Sequence, residues 1–352
     1  MVQSLSQSSF RLQQFAALAL AALGPALALG ACGPSQGPEV VAADGVLCDI
    51  TQRLAAQDLQ VACLLQPGDD PHQFHLSPQQ SQQLKGAQLV LINGYGLTPA
   101  LAKQTKAIAV AELAVPNSPK LAATAEQHAE AAPSHGDRDP HVWHDPAQAS
   151  AMVQLVAQQL EALKPAARQR IAGRATAMVA VLQQLDHWNR QQLATRPTPT
   201  SPLATGHRAF ASLARAYGLR ELPVVDSLSS SQSLRPQAFA AVLDQLEHEQ
   251  VTMLFDETVP PSKSLQRISA LSGVPIAPAP LVADGLAKAD GLAKAEGIAK
   301  PGDPARGNGP TNQASSLVAT LSANTCLIVT GLKGDCDQAS RQRLIQQWSA
   351  IR

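Results

Sequence analysis

From about residue 39 the apolar positions alternate between short runs and amphipathic stretches. Glu39–Ala43, Leu59–Leu65 and Gln88–Ile92 are brief, nearly continuous apolar runs, the pattern of strands buried on both faces. Pro67-Gly68 ends the second run. Between them Asp49–Ala56 and Ser77–Lys85 predict helices, the latter with Ser77 as N-cap and Pro78 at its first position. Pro146–Leu163 predicts a longer helix, with Ala149, Met152, Val153, Val156, Leu160 and Leu163 on one face. After Lys164-Pro165, the residues Ile171, Ala175, Met178, Leu182 and Leu185 keep one stripe to about Leu193. Such a helix spans roughly 40 Å, longer than one compact lobe needs, and predicts a strut between two lobes.

Alternation resumes after Pro197-Thr-Pro199. Strands are expected at Leu203–Thr205, Leu222–Val225, Val251–Phe255 and Val274–Ile276. Helices are expected at Ala209–Tyr217, Pro236–His248 and Ser262–Leu271, with a closing helix at Ser315–Leu332. Strands alternating with helices imply an α/β fold with mainly parallel sheets. Two stretches break the rhythm. Residues 117–138 read as a surface loop of Ala, Pro, Glu and His. Residues 283–310 carry three six-residue copies of an Ala-(Asp/Glu)-Gly-(Leu/Ile)-Ala-Lys unit and a Gly/Pro-rich tail. The copies are too short for a solenoid and read as a low-complexity insertion. The expected organisation is a leader at 1–31, a tether at 32–38, a first lobe at 39–163, a linking helix at 164–196 and a second lobe at 197–352.

The leader changes the setting. Arg11 is the only charged residue before Cys32, and an apolar stretch from Phe15 to Leu29 follows it. That is a secretory signal, too short and too interrupted by Pro25 for a membrane span. Leu29-Gly30-Ala31-Cys32 resembles the lipobox of bacterial lipoproteins, which implies lipidation of Cys32. Ordinary cleavage, leaving Cys32 a plain thiol, is the alternative. The remaining cysteines, Cys48, Cys63, Cys326 and Cys336, are even in number, as expected of disulfides in an exported protein. Of three possible pairings the two sequence-local bonds, Cys48–Cys63 and Cys326–Cys336, are expected, with four buried free thiols as the alternative. Lys+Arg and Asp+Glu are both 27, so the formal charge is zero and no nucleic-acid partner is expected.

The chemistry on offer is imidazole. Asp70-Pro71-His72 follows the second strand, Asp139-Pro140-His141 follows the loop, and Thr205-Gly206-His207 opens a helix. Ligand sites in open α/β sheets lie beyond the carboxyl ends of strands, so three histidines from three such ends can meet in one cleft. Neutral imidazole is the commonest metal ligand. These histidines lie too far apart in sequence for a local zinc motif, and spacing alone leaves metal binding open. His187 and His248 sit beside charges on helices and read as solvated. Gly-x-Ser-x-Gly, His-Glu-x-x-His and P-loop motifs are missing, which argues against the common hydrolases.

At these same residues a resemblance emerges. Asp70-Pro-His-Gln-Phe74 with Ser77-Pro78 resembles the Asp-Pro-His-x-(Tyr/Phe)-x-x-(Ser/Thr)-Pro segment of bacterial zinc/manganese ABC-importer solute-binding lipoproteins. Asn93-Gly-Tyr-Gly-Leu97, Asp139-Pro-His-Val-Trp-His-Asp-Pro146, Thr205-Gly-His-Arg-Ala-Phe210 and Tyr217-Gly-Leu219 resemble further family motifs in the same order. The likeness is to the zinc-uptake (ZnuA-like) branch. It implies two α/β lobes joined by one long helix, with the metal in the cleft between them. It also implies a monomeric, exported, lipid-anchored carrier, periplasmic or on the cell surface. Such a carrier delivers Zn²⁺ to a membrane permease and its ATPase and is not an enzyme.

Carried onto this chain, the ligands are His72, His141, His207 and Asp284. The family usually has Asp-Ser where this chain has Asp284-Gly285, so Asp256 and Glu257 stand as substitutes. His75 replaces a common Glu and His144 a common Leu. They are accessory candidates, or neutral surface changes, and His128 and His135 in the 117–138 loop are further accessory candidates. Manganese or iron carriers of the same fold commonly have Glu at position 207 and remain the alternative, with Mn²⁺ as cargo; a metal-dependent hydrolase is the remote one.

Overall fold

The computed structural model describes residues 37–104, 106–121, 138–224, 236–288 and 315–352. The leader, Cys32, His128, His135 and residues 289–314, which include most of the insertion, lie outside the described residues. Gly37 onward forms one compact unit. No described helix is long and apolar enough to cross a membrane.

The first sheet has the order β2-β1-β3-β4, with β1 at Val40–Ala42, β2 at Val61–Cys63, β3 at Leu89–Ile92 and β4 at Ile108–Ala109. All its pairs are parallel: Val40 lies opposite Val61 on one side and Leu89 on the other. Every residue of β1 is buried, which is why its apolar run does not alternate. Asp44 follows β1 and caps α1 (Gly45–Ala55), accepting from the Leu47 amide. Ser77 caps α2 (Pro78–Gly86) in a capping box completed by Gln80. The Asn93-Gly-Tyr-Gly turn after β3 has positive φ at Gly94, Tyr95 and Gly96, and leads by way of β4 into the short α3 (Val110–Ala114). Both β4 and α3 are missed by the apolar pattern, because neither is long enough to show a period.

Two helices follow, α4 (Pro146–Leu163) and α5 (Arg168–Ala194). The stripe of α5 is buried at Ile171, Met178, Leu182 and Leu185, and these residues share one core with Met152, Val153, Val156 and Leu160 of α4. The long helix packs against α4 over its first part and carries Leu193 into a second core with Leu203 and Phe210, so it runs from one core to the other.

The second sheet has the order β6-β5-β7, again parallel, with β5 at Leu203–Thr205, β6 at Glu221–Pro223 and β7 at Leu254–Phe255. Ile276 adds a parallel bridge to Leu254 in place of the expected fourth strand. Helices α6 (Ala211–Tyr217), α7 (Pro236–His248) and α8 (Lys263–Ser272) accompany this sheet.

The chain then returns to the first sheet's core. α9 (Leu317–Gly331) is buried almost all round, and Leu317, Val318 and Leu321 pack with Val46, Ile50 and Leu54 of α1. A last helix, α10 (Gln338–Ser349), follows, and sequence pattern does not reveal it: it presents only Leu344, Ile345 and Trp348 among polar residues. α9 thus packs its first part in the first core and Leu327, Ile328 and Val329 in the second, while Leu344, Ile345 and Trp348 of α10 lie in the first. Cys48 is joined to Cys63, tying α1 to β2, and Cys326 to Cys336, tying α9 to the approach of α10.

Asp49 fixes this return. Its carboxylate accepts from Arg53 Nε (2.8 Å), the Leu317 amide (2.9 Å) and Trp348 Nε1 (2.8 Å), linking α1, α9 and α10. Asp49→Ala leaves a buried amide and a buried indole N–H without an acceptor. We expect it to destabilise the protein by about 3 kcal/mol in denaturant titration, with the secondary-structure signal unchanged before the transition.

Candidate metal centre

Two copies of Asp-Pro-His make the same local turn. Asp70 Oδ1 accepts from the His72 amide at 2.8 Å, and Asp139 Oδ1 accepts from the His141 amide at 2.9 Å. The carboxylate satisfies the backbone two residues on while the proline ring holds φ between them, so each imidazole leaves its turn in a set direction. His72 follows β2. His141 follows no sheet strand, contrary to the expectation from sequence. Its loop is held instead by Asn93, next after β3, whose Nδ2 donates to the Pro140 carbonyl at 2.9 Å.

His207 follows β5. The Gly206 amide donates to the Phe255 carbonyl and to Glu257 Oε1, both at 3.1 Å. A Cβ at Gly206 would collide with the Glu257 carboxylate, so a larger residue here would push that carboxylate out of its place. Asp284 comes from the segment after the Ile276 bridge. Asn324 of α9 holds that segment by accepting from the Val282 amide (2.9 Å) and donating to its carbonyl (2.8 Å).

The four side chains converge. Asp284 Oδ1 lies 3.2 Å from His72 Nε2 and 2.9 Å from His141 Nε2. Its other oxygen lies 3.7 Å from His207 Nε2. The His141 ring centroid is 5.7 Å from that of His72 and 5.9 Å from that of His207. Donor atoms of His72, His141 and Asp284 lie within 4.8 Å of one another, a spacing that suits one shared ion. His207 Nε2 is buried without a hydrogen-bond partner, and it faces this cluster.

Behind two of the imidazoles stand carboxylates. Asp139 Oδ1 lies 3.1 Å from His141 Nδ1, and Glu257 Oε2 lies 3.6 Å from His207 Nδ1. A carboxylate on Nδ1 leaves Nε2 to face the ligand and makes it more basic. Burial alone would lower the His141 imidazole, but Asp139 and Asp284 raise it to about 10. Burial would raise Asp284, yet His141 and His72 hold it well below the usual carboxylate range. His207 is likewise raised, with Glu257 outweighing burial. In the metal-free cluster the His141 imidazole is therefore protonated beside the ionised Asp284 carboxylate, poised to exchange its proton for a cation.

The substitutes separate cleanly. Asp256 spends both oxygens on its own loop, accepting from the amides of Glu257, Thr258 and Ser262. Glu257 backs His207 rather than joining the cluster. His75 is exposed and outside the cluster. His144 is no surface change: it is buried, its Nε2 lies 2.9 Å from the Ala283 carbonyl, and burial pushes it down to about 4. Sequence reasoning missed the part of Asp139, although an Asp two residues before each of two histidines was a repeated signal. It had no means of finding Ser212, whose amide and hydroxyl donate to Asp139 Oδ2 at 3.0 and 2.6 Å.

Comparison with known proteins follows the same residues. The family model described as zinc-uptake complex component A, periplasmic, matches residues 40–295. The zinc-binding protein TroA of Treponema pallidum is 28% identical over 233 residues, covering 66% of this chain and 73% of that protein. The manganese-binding lipoprotein MntA of Halalkalibacterium halodurans is 24% identical over 251 residues, covering 70% and 80%. The iron-binding protein YfeA of Yersinia pestis is 25% identical over 262 residues, covering 74% and 83%. In structure, periplasmic zinc-binding TroA from Treponema pallidum aligns with a TM-score of 0.67 at 22% identity, over 84% of this chain and 99% of that one. Fe(III)-bound YtgA from Chlamydia trachomatis aligns with the same score at 19% identity, over 85% and 99%. At these identities the structural likeness shows the fold.

The raised His141 gives a pH prediction for the metal-free protein. Its imidazolium contributes stability that is fully present below the unfolded value near 6.5 and is lost as pH rises toward 10. Nitrogen-detected NMR should show His141 doubly protonated at pH 7.5 and His144 singly protonated down to about pH 4. A His141 titration near pH 6.5 would contradict the assignment.

Proposed function

The chain belongs to the ZnuA family, zinc-uptake complex component A, and on that premise we propose that it captures Zn²⁺ through His72, His141, His207 and Asp284. As a member it is a metal-binding, substrate-binding component of an ABC importer, and the relatives it matches bind zinc, manganese or iron. The finer reading, zinc as cargo, rests on one observation. The cluster offers three imidazoles and a single carboxylate, and His207 Nε2 is buried there with no hydrogen-bond partner. Zn²⁺ accepts a nitrogen-rich four-coordinate site without penalty, whereas Mn²⁺ prefers more oxygen donors and higher coordination.

In this reading the ion enters between loops that follow the first sheet (His72, His141) and loops that follow the second (His207, Asp284). Four protein ligands leave no open position for an activated water, so the chain carries metal rather than catalysing a reaction. Lipid on Cys32 tethers it at the outer face of a membrane, and it releases its ion to a permease driven by an ATPase. The expected organisation of the chain, a first lobe at 39–163, a linking helix at 164–196 and a second lobe at 197–352, belongs to the same proposal.

Competitive titration with Zn²⁺ and Mn²⁺ tests the cargo. His207→Ala should weaken both metals, by about 100-fold for zinc, because a ligand is lost. His207→Glu adds an oxygen donor and a negative charge, and should weaken Zn²⁺ while narrowing its advantage over Mn²⁺. Wild-type zinc affinity in His207→Ala would remove His207 from the site. A wild-type preference for Mn²⁺ would assign the protein to the manganese-carrying relatives instead.

Protons compete with the metal. Since the His141 imidazole is raised to about 10, zinc binding at pH 7.5 should release protons, and apparent affinity should climb with pH well above 6.5. Calorimetry in buffers of different ionisation enthalpy measures the count. Uptake or zero release at pH 7.5 would contradict it.

A further inference from the structure

Asp284, unlike His72 and His141, is not aimed by an Asp-Pro-His turn. The residue after it, Gly285, has φ of +79°, and a Cβ there would meet nothing within 4 Å, so no side-chain packing at Gly285 itself fixes the carboxylate; the Gly68 amide donates to the Leu286 carbonyl at 2.9 Å. Restraint comes from outside the segment. Asn324 holds Val282 on both its amide and its carbonyl, and Thr320 Oγ1 accepts from the Ala287 amide at 3.1 Å. Between these two anchors the carbonyl of Ala283, immediately before Asp284, meets His144 Nε2 at 2.9 Å.

His144 has the features of a residue kept for that bond. It is 1% exposed, and its ring lies 4.8 Å from Phe210 and 5.6 Å from Trp143. Its Nδ1 is buried without a hydrogen-bond partner. Burying an imidazole with one nitrogen unsatisfied costs free energy that an apolar side chain of similar size would avoid. Filling the space between Trp143 and Phe210 therefore does not account for a histidine here, whereas donation to Ala283 does. The bond also joins two ligand-bearing stretches, since His144 lies three residues after His141 in the turn that leads into α4.

We propose that His144 is a positioning residue for Asp284: its Nε2–H, donated to the Ala283 carbonyl, holds the carboxylate where the three imidazoles meet. The inference rests on the reading of Asp284 as a metal ligand. Outer partners of metal ligands typically change affinity by 10–100-fold when lost, and His144 acts at one remove through the backbone, so the lower end of that range applies.

The test uses Zn²⁺ titration, stopped-flow zinc release and the visible spectrum of the Co²⁺-loaded chain. His144→Leu keeps the apolar filling and deletes the donor, and His144→Met serves if the leucine variant does not fold. Either should bind Zn²⁺ about tenfold more weakly, release it faster and alter the Co²⁺ spectrum. His144→Gln keeps an N–H donor and should restore most of the affinity and the spectrum. In an Asp284→Ala background, His144→Leu should cost nothing further, because there is no carboxylate left to position. The same fold-loss with and without Asp284, or wild-type affinity and spectrum in His144→Leu, would overturn the inference. Unchanged zinc affinity in Asp284→Ala would instead overturn the ligand assignment, and the inference with it.

Discussion

The structure turns on one carboxylate shared among three imidazoles. Asp284 places one oxygen 2.9 and 3.2 Å from two histidines and the other 3.7 Å from a third. Removing a carboxylate and several imidazoles from water is costly unless each charge finds a partner. Here the cationic His141 ring and the Asp284 anion stabilise one another in the metal-free protein. The same geometry presents a ready set of donors once protons leave. No local sequence produces this arrangement: the four residues are brought together by loops after two separate sheets and by the segment beyond Ile276.

Holding that arrangement requires support that reaches across the fold, and Asp139 shows how economically it is supplied. One oxygen of its buried carboxylate orders the His141 turn and faces the His141 ring. The other accepts from the amide and hydroxyl of Ser212, in the first turn of α6. A single residue thus couples the direction of a ligand to the packing of a helix beside the second sheet. Glu257 does related work at His207, receiving the Gly206 amide with one oxygen and facing the ring with the other. Asn324 and Thr320 anchor the Asp284 segment from α9, which packs its first part in the core of the first sheet and its last part in the core of the second. The return of the chain to the first core through Asp49 is therefore part of the site's construction.

Family membership and the metal are separate matters. The family model and the shared fold establish what kind of protein this is. Relatives of similar identity carry different ions, so the common scaffold does not select among them. Selection falls to the donor set and to its surroundings. A nitrogen-rich cluster with its carboxylates mostly behind the rings, at Asp139 and Glu257, differs chemically from one in which those oxygens face the ion.

Much of this was legible in residues read alone. Apolar runs located β1, β2, β3 and β5, a capping serine and proline located α2, and a sustained stripe located α4 and α5 almost to their ends. Those features are local, set by periodicity, caps and turn chemistry over a few residues. The Asp-Pro-His repeats were equally visible, because their turns close within three residues. Tertiary structure decided the rest. It showed that His141 owes its place to Asn93 rather than to a strand, and that Asp256 serves its own loop while Glu257 backs His207. It showed His144 inside rather than on the surface, and α10 where only three apolar residues mark a helix. Apart from Asp256, whose partners lie within six residues, the deciding contacts join residues distant in the chain. Periodicity records which face of a segment is buried, but not which partner buries it.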